Sequence, residues 1–134
     1  MQTEQQIGRH TVREEGVIIF VRHVGDYRLS EAKQVTALIT DIHGRLRKAY
    51  LLVDLKEMGE VEPAARNLVT AWFQDTKFEA VLLCGASFPT RVVARMVAAA
   101  VMVMRGMELP LIFVSSEKLG RTLIADHCRA SSRT

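Results

Sequence analysis

Residues 49–55, Ala-Tyr-Leu-Leu-Val-Asp-Leu, place apolar side chains in succession instead of at alternate positions. A strand with one face in water alternates, so an unbroken run needs cover on both faces, as in the middle of a sheet with helices packed on it. The segments before and after this run repeat apolar residues at helical spacing. The pattern therefore predicts an α/β layer architecture grown outward from residues 49–55.

Residues 1–6 are polar and are expected to be loose. Residues 7–15 mix His10, Thr11 and Val12 with charges and read as an edge strand, which Gly16 interrupts. Residues 17–21, Val-Ile-Ile-Phe-Val, are rich in β-branched side chains and end before Gly25-Asp26, so they predict a strand pairing antiparallel with the one before it. Ser30 is placed to cap a helix reaching to about Arg47, whose Ala32, Val35, Leu38, Ile39, Ile42 and Leu46 fall in one stripe about 120° wide. Gly44 weakens its last turn and favours an earlier end.

Residues 56–62 read as a loop with three carboxylates, and Pro63 suits the first turn of a helix to about Gln74 that carries Leu68, Val69, Trp72 and Phe73. Residues 80–84 form a short buried strand stopped by Gly85. Pro89 and Thr90 introduce a long helix through Met104, ended by Gly106. Residues 110–114 are the last strand, and Ser116 is placed to cap a final helix carrying Leu119 and Leu123 and ending near His127. The expected fold class is α/β: a mixed sheet of about five strands with four helices packed on it, in the order ββαβαβαβα. It forms a single domain over 1–134, with 1–6 and 129–134 flexible.

Composition narrows the function classes. A chain of 134 residues is the size of one domain. Its net charge of +3 comes from basic residues scattered among fifteen acidic ones, which leaves no nucleic-acid footprint. Cys84 and Cys128 make no CxxC pair, and Cys84 ends an apolar run, where a reduced buried thiol and a cytoplasmic location are expected. The start lacks a basic stretch followed by an apolar one, and no apolar run reaches the roughly eighteen residues of a membrane span. Neither secretion nor membrane spanning is expected.

The chain resembles the SpoIIAA-like members of the STAS superfamily, also called STAS/SEC14 proteins. The residues that carry the resemblance are the opening strand from Gly16 to Val24, Leu51-Leu-Val-Asp54, Ala80-Val-Leu-Leu-Cys-Gly85, Arg91 in the following helix, and Pro110-Leu-Ile-Phe113 with Ser116-Glu117 opening the last helix. The resemblance implies a STAS-like fold. It also implies one of two functions: antagonism of an anti-sigma factor through a protein partner, switched by serine phosphorylation, or lipid carriage as in small SEC14 relatives. The antagonist pattern sets an Asp-Ser pair at the start of the helix after the middle strand. Here Met58-Gly-Glu-Val-Glu-Pro63 offers no hydroxyl, so the phospho-switch does not carry over.

Several patterns bear on chemistry. Gly85-Ala86-Ser87-Phe88-Pro89 lies between a strand and a helix, but a nucleophile elbow needs a small residue where Pro89 stands, and the four histidines show no spacing that supplies a base. Ser87 is better read as a cap. Ser87, Thr90 and Arg91 at the helix start, with Asp54 at the end of the middle strand, make a candidate anion or ligand site. Asp54, Ser87 and Lys118 also follow the order of a phospho-receiver, yet Val21-Arg22-His23-Val24 lacks the acidic pair that would hold Mg²⁺. Glu57, Glu60 and Glu62 read as a solvated loop. No catalytic residue, metal site or cofactor is expected.

The helix from Arg91 to Arg105 is the strongest signal. Its apolar residues spread over an arc of about 220°, where one face against a sheet needs little more than 100°. The neighbouring helix with Trp72 and Phe73 uses part of the excess, and the rest predicts an interaction surface of Val93, Met96, Val97, Val101 and Met104. The expected function is a non-enzymatic binding module that meets a protein partner or a second copy, a homodimer being the simplest self-complementary use. Lipid or amphiphile binding is the alternative, and a receiver domain the third.

Overall fold

The structure, a computed structural model, describes residues 3–106 and 110–132, the side chains of 3, 104, 105, 131 and 132 excepted. Among the described residues the chain forms β1 (Thr3–Ile7), β2 (His10–Glu15), β3 (Ile18–Tyr27), α1 (Leu29–His43), β4 (Tyr50–Val61), α2 (Pro63–Asp75), β5 (Ala80–Cys84), α3 (Phe88–Arg105), β6 (Leu111–Val114) and α4 (Glu117–Ser132). The strands lie side by side in sequence order. The pairs β1–β2 and β2–β3 are antiparallel, and β3 to β6 run parallel.

The mixed sheet and four helices agree with the sequence, with one strand more. That strand, β1, comes from Thr-Glu-Gln-Gln-Ile, which has no apolar alternation to reveal it. Backbone pairing to β2 defines it, and Gly8 at φ 61° closes the tight turn between them.

A second difference concerns residues 56–62, expected to be a loop. Here β3 and β4 run on past the ends of their neighbours, pairing Val24 with Glu57, Gly25 with Met58 and Tyr27 with Val61. Two register shifts bend this extension. Gly59 allows the close approach: a Cβ there would lie 2.5 Å from Asp26 Oδ1, the same oxygen that accepts the Glu60 N–H at 2.9 Å. The pairing is a tertiary effect on a segment whose composition reads as loop.

Sheet parity divides the interior in two. Ile19, Val21, Leu51, Val53, Leu55, Val81 and Leu83 face α1, α2 and α3. Phe20, Tyr50, Leu52, Leu82, Cys84 and Val114 face α4, which contributes Ile124. The run 49–55 is thus buried on both sides, as its pattern requires. Over the second core, Phe20 lies beneath the guanidinium groups of Arg13, Arg22 and Arg121, at 4.7, 5.2 and 5.1 Å from its ring centre. Arg121 holds Glu15 through two hydrogen bonds of 2.9 and 3.0 Å, and Arg22 reaches Glu117 at 2.8 Å.

Helix ends differ from expectation in two places. Ser30 is not the cap of α1: the cap is Arg28 and the helix starts two residues earlier, with Arg28 C=O accepting from Ala32 N–H at 2.9 Å and Glu31 Oε1 accepting from Arg28 N–H at 3.1 Å. Its end at Gly44 is the early one that the glycine favoured. α4 is capped as expected, Ser116 Oγ accepting from Leu119 N–H at 3.1 Å. It runs past His127 because the His127 ring pairs with the Tyr50 hydroxyl and Cys128 packs on the second core. Among the described residues no helix is long and apolar enough to cross a membrane.

Gly120 lets α4 lie directly on the middle strand, since a Cβ there would stand 2.7 Å from Leu52 Cδ1, and Leu52 is fully buried. Gly120→Leu is expected to lower stability by about 1–3 kcal/mol through overpacking, despite the better helix propensity of leucine. Urea denaturation checks this, and an unchanged or raised midpoint would show that α4 does not sit against Leu52 as described.

Candidate functional site

The site is built around α3. Ser87 Oγ accepts the Thr90 N–H at 3.4 Å and lies 3.0 Å from Thr90 Oγ1, so the hydroxyl is engaged as the cap read from the sequence. At the other end Gly106 adopts φ 71° and its N–H closes on Met102 C=O at 2.8 Å. α3 packs beside α2, and a cavity of about 140 Å³ lies between the sheet and the helices α1, α2 and α3. Leu51, Val53, Val81 and Leu83 form the floor, and Val93, Ala94 and Val97 the roof.

The polar lining is sparse. Arg66 in the first turn of α2 and Thr90 in the first turn of α3 stand at the carboxyl ends of β4 and β5, the end of an α/β sheet where ligands are received. The Thr36 hydroxyl is already committed to Ala32 C=O at 2.7 Å. His23, only 7% exposed, and Tyr27 complete the polar lining.

His23 belongs to a buried cluster that β2 and β3 assemble. The register pairing Thr11 with Arg22 brings His10 beside His23, and their Nδ1 atoms lie 3.1 Å apart. The Val24 N–H donates to His10 Nδ1 at 3.3 Å, so that nitrogen presents a lone pair. His10 Nε2 is 3.4 Å from Glu31 Oε2, an ion-pair distance in a geometry too bent for a hydrogen bond. The Tyr27 ring leans on His23 at 4.3 Å between centres. Burial, helped by the nearby His10, pushes the His23 pKa down to about 3. Burial and Glu31 push the Tyr27 phenol up. The histidines had no suggestive spacing along the chain. The signal that relates them is their equal distance, in strand register, from the hairpin turn at Gly16.

The residues expected on the interaction surface separate. Val97 and Val101 are buried in the core, Val93 lines the cavity, Met96 is exposed, and the Met104 side chain lies outside the described residues. The reason is phase: Val97 and Val101 point at the sheet, and the excess apolar arc lies on the opposite side. There Phe88 (75% exposed), Val92, Met96, Ala99 and Val103 (83% exposed) fall within about 80° on the wheel and form a stripe along the helix. Arg91 and Arg95 border it, their guanidinium groups 5.6 and 5.2 Å from the Phe113 ring centre.

The candidate anion site does not come together as drawn. Ser87, Thr90 and Arg91 stand on α3, but Asp54 shares the parity of Tyr50 and Leu52 and faces α4. It accepts from Arg22 Nε at 3.2 Å and from the Lys56 N–H at 3.0 Å. Burial acts to raise its pKa, but hydrogen bonding involving Glu117, the Lys56 N–H and Arg22 outweighs it and holds the carboxyl below its usual value. Cys84 and Cys128 are free thiols, and burial raises Cys84 to about 11.

No protein-family model and no curated protein matches the sequence. Solved structures supply likenesses of fold. SpoIIAA, an anti-sigma factor antagonist in its unphosphorylated form, is 10% identical over 93% of this chain and 98% of its own, with a TM-score of 0.62. An uncharacterized protein with a SpoIIAA-like fold from Shewanella loihica PV-4 is 12% identical over 87% of this chain and 88% of its own, with a TM-score of 0.57. At such identities the likeness is one of fold, and the chain has the SpoIIAA-like, STAS-type fold that the sequence resemblance implied.

The depressed His23 pKa makes stability depend on pH. The unfolded chain takes up this proton below about pH 6.5 while the folded chain resists it down to about 3. The contribution is therefore complete above 6.5 and lost as pH falls through that window. Lowering pH from 7 to 5 is expected to cost about 2 kcal/mol from this group, and His23→Phe to flatten the dependence by that amount. Urea denaturation of both proteins at the two pH values measures it. Equal pH dependence in the two would remove His23 as the source.

Proposed function

We propose that this protein is a non-catalytic binding module whose working surface is the outer face of α3, and that its partner is another protein bearing an apolar strip edged with acidic residues. The observation that carries the reading is the exposed stripe of Phe88, Val92, Met96 and Val103 bordered by Arg91 and Arg95. A continuous apolar patch of this kind on a folded domain marks an interface. Methionine adapts to the shape of a partner, and the arginine edge favours an acidic rim on the other side. Residues 88–105 contain no acidic side chain, so two copies meeting on this face would bring like charges together. That weighs against the homodimer. The fold is shared with an anti-sigma factor antagonist, and this supports a regulatory role exerted on a protein.

A second reading has its own observation, the cavity beneath α3 with Arg66 and Thr90 at the carboxyl ends of the parallel strands. It favours a small amphiphile. Its volume of about 140 Å³ is close to that of cavities known to hold benzene, and so suits a compact molecule better than a two-chain lipid.

The surface is tested with a synthetic amphipathic helix carrying leucines on one face and glutamates along its flanks. Wild type is expected to bind it, Val103→Glu and Met96→Glu to bind about tenfold or more weakly while melting near the wild-type temperature, and a lysine-flanked version not to bind. Val101→Glu, buried against the sheet, is expected to unfold instead, because an unpaired carboxylate there costs several kcal/mol. Binding unaffected by both surface charges would reject the surface. Concentration-dependent dimerisation in sedimentation, abolished by Val103→Glu, would replace the partner with a second copy. Binding to phosphatidylglycerol vesicles, abolished by the same change, would replace it with a lipid surface.

A further inference from the structure

Among the polar groups that line the cavity beneath α3, His23 is the one whose hydrogen-bonding state its neighbours define. His23 is buried and lines the cavity, and its tautomer follows from its neighbours. His10 Nδ1 receives the Val24 N–H at 3.3 Å and therefore has no proton to give. At 3.1 Å from that atom, His23 Nδ1 must be the donor of the contact. The neutral His23 ring then carries its proton on Nδ1, and Nε2 is left as an acceptor.

We propose that this cavity binds a small, uncharged, largely apolar molecule with a single hydrogen-bond donor, of the phenol or indole class, whose donor is received by His23 Nε2. The proposal rests on the small-amphiphile reading given above and names the chemistry of its ligand. Three observations support it. The volume of about 140 Å³ matches a single aromatic ring with small substituents. The floor and roof of Leu51, Val53, Leu83, Val93 and Val97 offer dispersion contact and no hydrogen bonds. The imidazole is neutral at physiological pH, its pKa held down to about 3 by burial, so it attracts neither a carboxylate nor any other anion. A cation is disfavoured by the same apolar walls. Water is a poor occupant, because it needs two to four polar partners close together and the walls of this cavity are mostly aliphatic. A hydroxyl or ring N–H attached to an apolar body satisfies both the walls and the nitrogen.

The test uses the full chain at neutral pH, titrated with phenol, toluene, indole, indene and benzoate and followed by calorimetry and by shifts of backbone amide resonances. Phenol and indole are expected to bind about tenfold or more tightly than toluene and indene, their counterparts without a donor, and benzoate not to bind. This order is the reverse of the ligands' hydrophobicity, so partition alone cannot produce it. His23→Phe is expected to erase the preference for the donor. Ala94→Phe, which fills the roof, is expected to abolish binding of the four that bind the wild type. Toluene binding as tightly as phenol to the wild type would overturn the hydrogen bond to His23 while leaving the cavity as an apolar site. Failure of every ligand to bind would overturn the cavity reading as well. The wild-type comparison decides the proposal even if His23→Phe does not fold.

Discussion

The middle strand β4 must be covered on both faces, and the other layers answer to that need. Leu51, Val53 and Leu55 face one way, Tyr50 and Leu52 the other, and leaving either set in water would forfeit roughly 1.5–3 kcal/mol for each large side chain. The three crossover helices α1, α2 and α3 lie on the first face. The second is left to α4, which follows the last strand and comes close because Gly120 presents no side chain to Leu52. Charge completes the cover there: Arg13, Arg22 and Arg121 lie over the Phe20 ring, and Glu15, Glu117 and Asp54 hold them in place.

Asymmetry between the two faces is where function can enter. On the α4 side, Arg13, Arg22 and Arg121 lie over Phe20 and pair with carboxylates. On the other side, α3 is anchored by Val97 and Val101 and packed against α2, and a cavity lies between the sheet and α1, α2 and α3. One helix thereby forms the roof of a cavity and, on its reverse, an apolar surface toward solvent. Its apolar arc reaches about 220° for that reason, and a simple core helix would need less than half as much.

Two histidines and a tyrosine inside the first core are the costliest feature of that face. Burial penalises the charged form of His23 so strongly that the ring stays neutral, and the Val24 N–H with the His10 ring fixes which nitrogen carries the proton. The cluster sits where β3 and β4 leave the main sheet and bend around Gly59. An irregularity of the backbone and a polar pair in the core thus coincide with one wall of the cavity.

The sequence by itself determined the order of layers. The unbroken apolar run 49–55, the β-branched stretch 17–21, the glycines after β5 and α3 and the caps Ser87 and Ser116 state local preferences strong enough to survive folding, and the family resemblance added the STAS-type topology. The tertiary structure decided what depends on pairing between distant segments. Strand β1 and the far half of β4 exist because a neighbour offers backbone hydrogen bonds to polar segments that no periodicity marks. The candidate site was legible only in outline. The wheel of α3 revealed an excess of apolar surface, but a wheel has no origin until the helix is set on its sheet. The wheel alone therefore does not tell Val97 and Val101, which point in, from Phe88 and Val103, which are the most exposed apolar residues of α3 among those described. His10 and His23 are thirteen positions apart, and only the hairpin register brings their rings together, so no reading along the chain could relate them to a cavity formed by helices that come later.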